Sequence, residues 1–247
     1  LLLTDFHSNC AVCSPTRAAL LTGRYQHRTG IVNVMGQTSK ALPRIQGLPH
    51  NSITIADYLK NQGYQTAIFG KWHLGNLKDY HPLDFGFDYF FGVQVGMGNP
   101  FTYLPANPGP DTKSMLFRNR ERVEGPGKYF TYRLADELIE YIDNRNRETP
   151  FFIYLPFTAP HYPLWKPDDS LTHWDGNRFG PHPDDLKSAY KATIEAMDLA
   201  VGEIMEELKK TGLDKNTFVF FTSDNGPADV GSCYPYRGRK SNLYEGG

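Results

Sequence analysis

The chain has 247 residues, 40% of them hydrophobic and 21% charged. That composition excludes a disordered segment, a collagen-like repeat and a coiled coil, and the length suits one large domain or two small ones. Lys and Arg (26) nearly balance Asp and Glu (27), which argues against a general nucleic-acid binder or a polybasic membrane surface.

No apolar run approaches the roughly 18 residues of a membrane span. The chain opens on Leu1-Leu2-Leu3 and closes on Glu245-Gly246-Gly247, so the expectation is a fragment of a longer protein.

Breakers and apolar periodicity predict helices alternating with strands. Ser14-Pro15 reads as N-cap and first turn of a helix through Leu21, stopped at Thr22-Gly23. A second helix is expected over Thr54–Gln62, with Gly63 as its stop, followed by a strand over Tyr64–Phe69 closed by Gly70. Tyr129–Asn146 reads as an amphipathic helix and Phe151–Phe157 as a buried strand. Leu186, Tyr190, Ile194, Met197, Val201, Ile204 and Leu208 fall on one face of a long helix ending near Thr211-Gly212. Thr217–Thr222 is expected to be a further buried strand.

This alternation predicts an α/β layer fold around a largely parallel sheet. Two stretches show no clear period, 75–128 and 160–184, and both are expected to shape a pocket. Their aromatics Tyr80, Phe101, Tyr103, Trp165 and Trp174 suit either sugar stacking or packing. The second stretch also carries His161, His173 and His182.

The three clearest strands each run into unusual polar residues. After the first come Gly70-Lys71-Trp72-His73, after the second Ala159-Pro160-His161, and after the third Ser223-Asp224-Asn225-Gly226. Ligands of open α/β sheets bind beyond the carboxyl ends of strands, so the three clusters are expected on one rim. Asp224 and Asn225 offer oxygens suited to a hard divalent cation. Lys71, His73 and His161 offer charge and donors suited to a tetrahedral oxyanion ester.

Cys10 and Cys13 form a C-x-x-C pair, open to a zinc, a redox or a single-cysteine reading, and only Cys233 remains beside them. Cys13 lies at the start of the first predicted helix, where free N–H groups favour an anion, and Arg17 follows one turn later.

The run Cys13-Ser14-Pro15-Thr16-Arg17-Ala18-Ala19-Leu20-Leu21-Thr22-Gly23-Arg24 resembles the signature of the type I, formylglycine-dependent sulfatases, within the alkaline-phosphatase-like superfamily. Gly63 to Gly75 is similar to a second family signature, G-Y-x-T-x-x-x-G-K-W-H-L-G. Ser223-Asp224-Asn225-Gly226-Pro227 and Lys240 to Gly247 resemble two more, in the family's order.

The resemblance implies an alkaline-phosphatase-like fold, a mixed and largely parallel sheet flanked by helices. It implies that residues 1–247 cover part of the catalytic domain, without the strand bearing the family's acidic metal pair and without the C-terminal subdomain. Asp5 stands alone where such a pair would be sought.

The implied activity is hydrolysis of an aryl or carbohydrate sulfate ester. Cys13, converted to formylglycine by a formylglycine-generating or anaerobic sulfatase-maturing enzyme, would be the nucleophile, held by Arg17 and Lys71. Lys71, His73, His161 and Lys240 would bind the sulfate or the bridging oxygen. Asp224, Asn225 and the modified Cys13 would hold a divalent cation, usually calcium, with magnesium as the alternative. His161 or Lys240 is then the acid and His73 the base.

A hydrate suits this chemistry because its second hydroxyl can expel sulfate, whereas a serine ester would persist. The implied location is extracytoplasmic. Rival expectations are a phosphodiester or phosphonate monoester hydrolase sharing the same nucleophile motif, and an inactive oxyanion-binding fragment.

Overall fold

The computed structural model describes residues 1–35, 46–96, 98–105, 108–169 and 176–247. The expected His173 and Trp174 therefore lie outside the described residues. Within them, five strands form one mixed sheet: β1 (Gln65–Lys71), β2 (Tyr89–Val93), β3 (Leu116–Arg118), β4 (Glu121–Arg122) and β5 (Phe151–Tyr154), in the order β4-β3-β2-β1-β5. Strand β1 runs parallel to both β2 and β5, with Ala67 opposite Tyr89 and Ile153. Strands β3 and β4 add an antiparallel edge.

Helices cover both faces. On one face lie α4 (Phe130–Asn144) and α5 (Leu186–Lys210). Their Phe130, Leu134, Leu138, Ala200 and Ile204 pack on Ala67 and Phe69 of β1 and on Phe91 and Val93 of β2. On the other lie α1 (Cys13–Thr22) and α3 (Ile55–Asn61), which bury Ala18, Leu21 and Ala56 against Ile68, Trp72 and Phe90. Alternate residues of the strands thus serve opposite layers, as a sheet covered on both faces requires. A short helix, α2 (Gln26–Thr29), follows α1.

Several expectations change. Ser14 is not the N-cap of α1: Val12 holds that place, and the Ser14 hydroxyl accepts from Met35 N at 3.0 Å. Strand β1 does not stop before Gly70 but runs through it to Lys71. The stretch 75–128, read as irregular, contains β2, β3 and β4. Glycine and closely spaced aromatics hide the period of β2, yet Gly92 is needed there, because a Cβ would lie 1.9 Å from Gly70 O.

On α5 the buried line is Ala189, Thr193, Ala196, Ala200 and Ile204, while Ile194 faces out. Small side chains on that face let α4 and α5 approach closely. Finally, Thr217–Thr222 forms no strand. No described strand lies beside it, and an unpartnered segment cannot make a ladder. Its side chains stand open, with Phe218 84% exposed.

Candidate active site

The carboxyl end of β1 is held from both sides. Lys71 N donates to Pro156 O at 2.8 Å, beyond β5. Trp72 N and His73 N donate to Val93 O and Gln94 O, at the end of β2 and just past it. Gly70 makes the first contact possible: at φ 122° it brings its backbone so close to Pro156 that a Cβ would sit 2.2 Å from the carbonyl oxygen. The result is that Lys71 and His73 are both buried at the rim where the β5 side also arrives.

Cys13 is the first residue of α1 and is only 3% exposed. The approach to it is fixed by Thr16, whose hydroxyl donates to Cys10 O at 2.7 Å. Lys240 reaches it from the far end of the chain, with Nζ 3.6 Å from Cys13 Sγ. Two backbone bonds place that lysine, Lys240 N to Pro227 O and Ser241 N to Ala11 O, both 2.9 Å. All three cysteines are free, which removes the disulfide form of the C-x-x-C reading.

Arg17, one turn into α1, is buried and points at Asp224. Its Nε and Nη2 both donate to Asp224 Oδ2, at 2.9 and 2.7 Å. Its Nη1 donates to Lys71 O at 2.8 Å and lies 3.5 Å from Tyr154 Oη. Arg17 thus ties the Asp224 loop to the end of β1, a more specific arrangement than the expected contact with the Cys13 group. Tyr154 was not anticipated. Its signal was a lone hydroxyl in the apolar run 151–157, since a buried tyrosine needs a polar partner.

Electrostatics follow from this crowding of cations. Desolvation, then Arg17, pulls Lys71 down to about 8. Desolvation, then Lys71 and Arg17, pushes His73 down to about 2, so its ring is neutral. Desolvation of the His161 ring, with Lys71 and Lys240, brings it to about 4. His161 Nδ1 lies 2.7 Å from Tyr162 O. A carbonyl only accepts, so Nδ1 carries the proton and Nε2 bears the lone pair. Desolvation raises the Asp224 carboxyl, but Arg17, Lys71 and Lys240 outweigh it and hold it below its ordinary value.

Two oxygens fit a hard cation. Asn225 Oδ1 is buried without a hydrogen-bond partner. Asp224 spends Oδ2 on Arg17, which leaves Oδ1 for a ligand. These donors suit calcium or magnesium, but two are too few. Among the described residues there is no group of three or more His, Cys, Asp or Glu that could hold a metal ion.

The structure thus brings together Cys13, Arg17, His73, His161, Asp224 and Lys240 around Lys71, each of them in electrostatic contact with it. It does not bring in the aromatics. Phe101, Tyr103 and Trp165 are buried in the core, and Tyr80 stacks on His50. His182 is paired with Asp169 at 2.7 Å.

A rim of cations thus surrounds a buried cysteine at the end of a mixed sheet between two helical layers. The family model described as Sulfatase matches residues 1–247. The chain belongs to the sulfatase family.

Over 247 residues it is 34% identical to arylsulfatase G of Mus musculus, covering 90% of this chain and 44% of that protein. It is 32% identical to N-acetylgalactosamine-6-sulfatase of Mus musculus, covering 100% of this chain and 48% of that protein. The crystal structure of Ps i-CgsB in complex with k-i-k-neocarrahexaose superposes with a TM-score of 0.80 at 30% identity, over 98% of this chain and 54% of that one. The chain spans about half the length of the curated relatives it matches. Among the described residues no helix is long and apolar enough to cross a membrane.

Proposed function

We propose that the protein containing this chain hydrolyses a sulfate monoester, with a sulfated carbohydrate as its substrate class. The observation that carries this reading is Lys240 Nζ 3.6 Å from the sulfur of the buried Cys13, with Lys71 acted on by both Cys13 and Lys240 and His161 beside the same two lysines. The names of the relatives support the substrate class: one is an N-acetylgalactosamine-6-sulfatase, and Ps i-CgsB holds a neocarrahexaose.

Formylglycine at position 13 supplies, as its hydrate, an oxygen nucleophile and a second hydroxyl for release. Asp224 and Asn225, with the modified Cys13, would hold a calcium or magnesium ion, which would supply positive charge toward the sulfate. The protein's own groups do the rest. The Lys71 and Lys240 ammonium groups hold the sulfate oxygens and stabilise charge as the S–O bond breaks. Arg17 keeps Asp224 ionised and in place.

A proton must reach the leaving oxygen. Neutral His161 presents a lone pair at Nε2 and accepts, so Lys240 is the donor. His73, with Nδ1 buried and unpartnered, is the base of the release step in this reading, a role in which the bound sulfate's negative charge offsets the cations that depress the ring. Conversion of Cys13 requires a formylglycine-generating or anaerobic sulfatase-maturing enzyme, and we place the protein outside the cytoplasm.

The test compares the protein with its Cys13→Ser variant on an aryl sulfate and an aryl phosphodiester. Faster turnover of the sulfate, with loss of multiple turnover in the variant, supports the reading. Full turnover by Cys13→Ser removes the nucleophile, and preference for the phosphodiester makes it a phosphoryl-ester enzyme. Peptide mass of the Cys13 segment reads the modification. Calcium titration of residues 1–247 against the longer protein separates an enzyme from an oxyanion-binding fragment.

A further inference from the structure

Beyond the C-terminus of α1 lies a polar cavity of about 80 Å³, on the opposite end of the helix from Cys13. That is more room than one water needs. Thr22, Arg24, Arg28, Thr29, Asn51 and Ser52 contribute to its wall, and no carboxylate does.

Two of the hydroxyls are already committed: Thr22 donates to Ala18 O and Thr29 to Gln26 O. The other four side chains are not. Among the described residues, Arg24 and Arg28 have no ion-pair partner, and neither they nor the Asn51 and Ser52 side chains make a hydrogen bond.

Arg24 and Arg28 are exposed, and together they make this wall positive with no carboxylate beside them. The Gly23 turn, at φ 63°, brings both to the same wall by ending α1 and leading into α2. A planar guanidinium matches the oxygens of a tetrahedral oxyanion, and hydroxyl and amide donors complete its shell.

We infer that this cavity is a second oxyanion site, which takes a sulfate ester group of the substrate other than the one hydrolysed. The inference rests on the sulfatase reading for the identity of its ligand. Helix α1 separates the two ends by about 15 Å, at about 1.5 Å per residue over its 10 residues. The substrate is then a sulfated oligosaccharide several units long, anchored by one sulfate and cut at another.

The competing account is that Arg24 and Arg28 only balance the negative end of the α1 dipole. It predicts a stability effect and no anion binding.

The experiment uses the full-length protein and the double variant Arg24→Gln/Arg28→Gln. Inorganic sulfate and inorganic phosphate are titrated by calorimetry into Cys13→Ala protein with and without the double substitution. Loss of one sulfate site in the substituted protein supports the inference, and equal stoichiometry overturns it. A site that takes phosphate but not sulfate overturns the sulfate assignment.

With Cys13 intact, Arg28→Gln alone, which leaves the Cys13–Arg24 signature run untouched, is expected to raise KM for a polysulfated oligosaccharide about tenfold, with a monosulfated aryl ester unchanged. Equal losses on both substrates overturn it. If the wild-type protein cleaves no sulfate ester, the proposed function fails, while the loss of a sulfate site by calorimetry still establishes the cavity as an anion site.

Discussion

Arg17 holds one oxygen of Asp224 with two of its nitrogens, Nε at 2.9 Å and Nη2 at 2.7 Å, and leaves the other oxygen free. The carboxylate is thereby turned edge-on, one lone-pair face to the protein and one to a ligand. An arginine fork can do this while its third nitrogen holds the Lys71 carbonyl; a lysine, as a point charge, cannot.

Arg17→Lys is therefore expected to weaken calcium binding by about tenfold or more, as changes behind a metal ligand do. Activity measured across a calcium titration checks this. A titration curve identical to that of the unsubstituted protein would show that Asp224 needs no such hold.

Lys71 is a buried cation, and its depressed value is a statement about stability. At pH 7 it is protonated both folded and unfolded, and folding bears the cost of keeping that charge at a site that lowers it from 10.5 to about 8. That cost disappears as pH rises from about 8 toward the unfolded value. Lys71→Met should therefore stabilise the fold at pH 7, by on the order of 1–3 kcal/mol, while abolishing turnover. Chemical denaturation and a rate assay on the same sample test the pair of effects. A destabilised Met variant would contradict the account.

The same lysine sets the alkaline limb of the rate. In the proposed function its ammonium form is what binds the sulfate, so kcat/KM should fall as pH rises through about 8. His161 and His73, at about 4 and 2, are already neutral above pH 5. A pH profile should thus show no histidine inflection between roughly pH 5 and 8. An acidic limb near 6.5 would mean that one of these rings is charged in the free protein.

Gly70→Ala is expected to cost on the order of 3 kcal/mol or more, because it adds strain at φ 122° to an overlap with Pro156 O at 2.2 Å. Gly63 is the control. It also has positive φ, 84°, but its Cβ would meet nothing within 4 Å, so alanine there should cost only about 1–2 kcal/mol. Denaturant midpoints rank the two. Equal costs would show that the close approach to Pro156 is not what constrains the position.

Much of the fold was legible in the chain. Periodicity and glycine stops located α3, α4, β5 and α5 to within a few residues, and Thr54 indeed caps α3, with Asp57 completing the capping box. Strand β2 was not legible, because Gly92 is dictated by contact with Gly70, a neighbour remote in sequence. Thr217–Thr222 misled for the opposite reason. Its residues are those of a buried strand, but strand formation depends on a partner, which no local pattern reports.

The site residues were legible through their motifs and their places beyond strands. Their pairing was not. Arg17 and Asp224 stand 207 positions apart, and spacing cannot show which oxygen a guanidinium takes.

The burial of Cys13 also orders events in time. Only 3% of the residue meets solvent, and Lys240 closes over it once its loop has joined Ala11 and Pro227. One of these bonds, Ser241 N to Ala11 O, joins segments remote in the sequence. In the proposed function, the maturing enzyme would reach that thiol before the two meet. The folded molecule keeps whatever chemical state position 13 had at that moment.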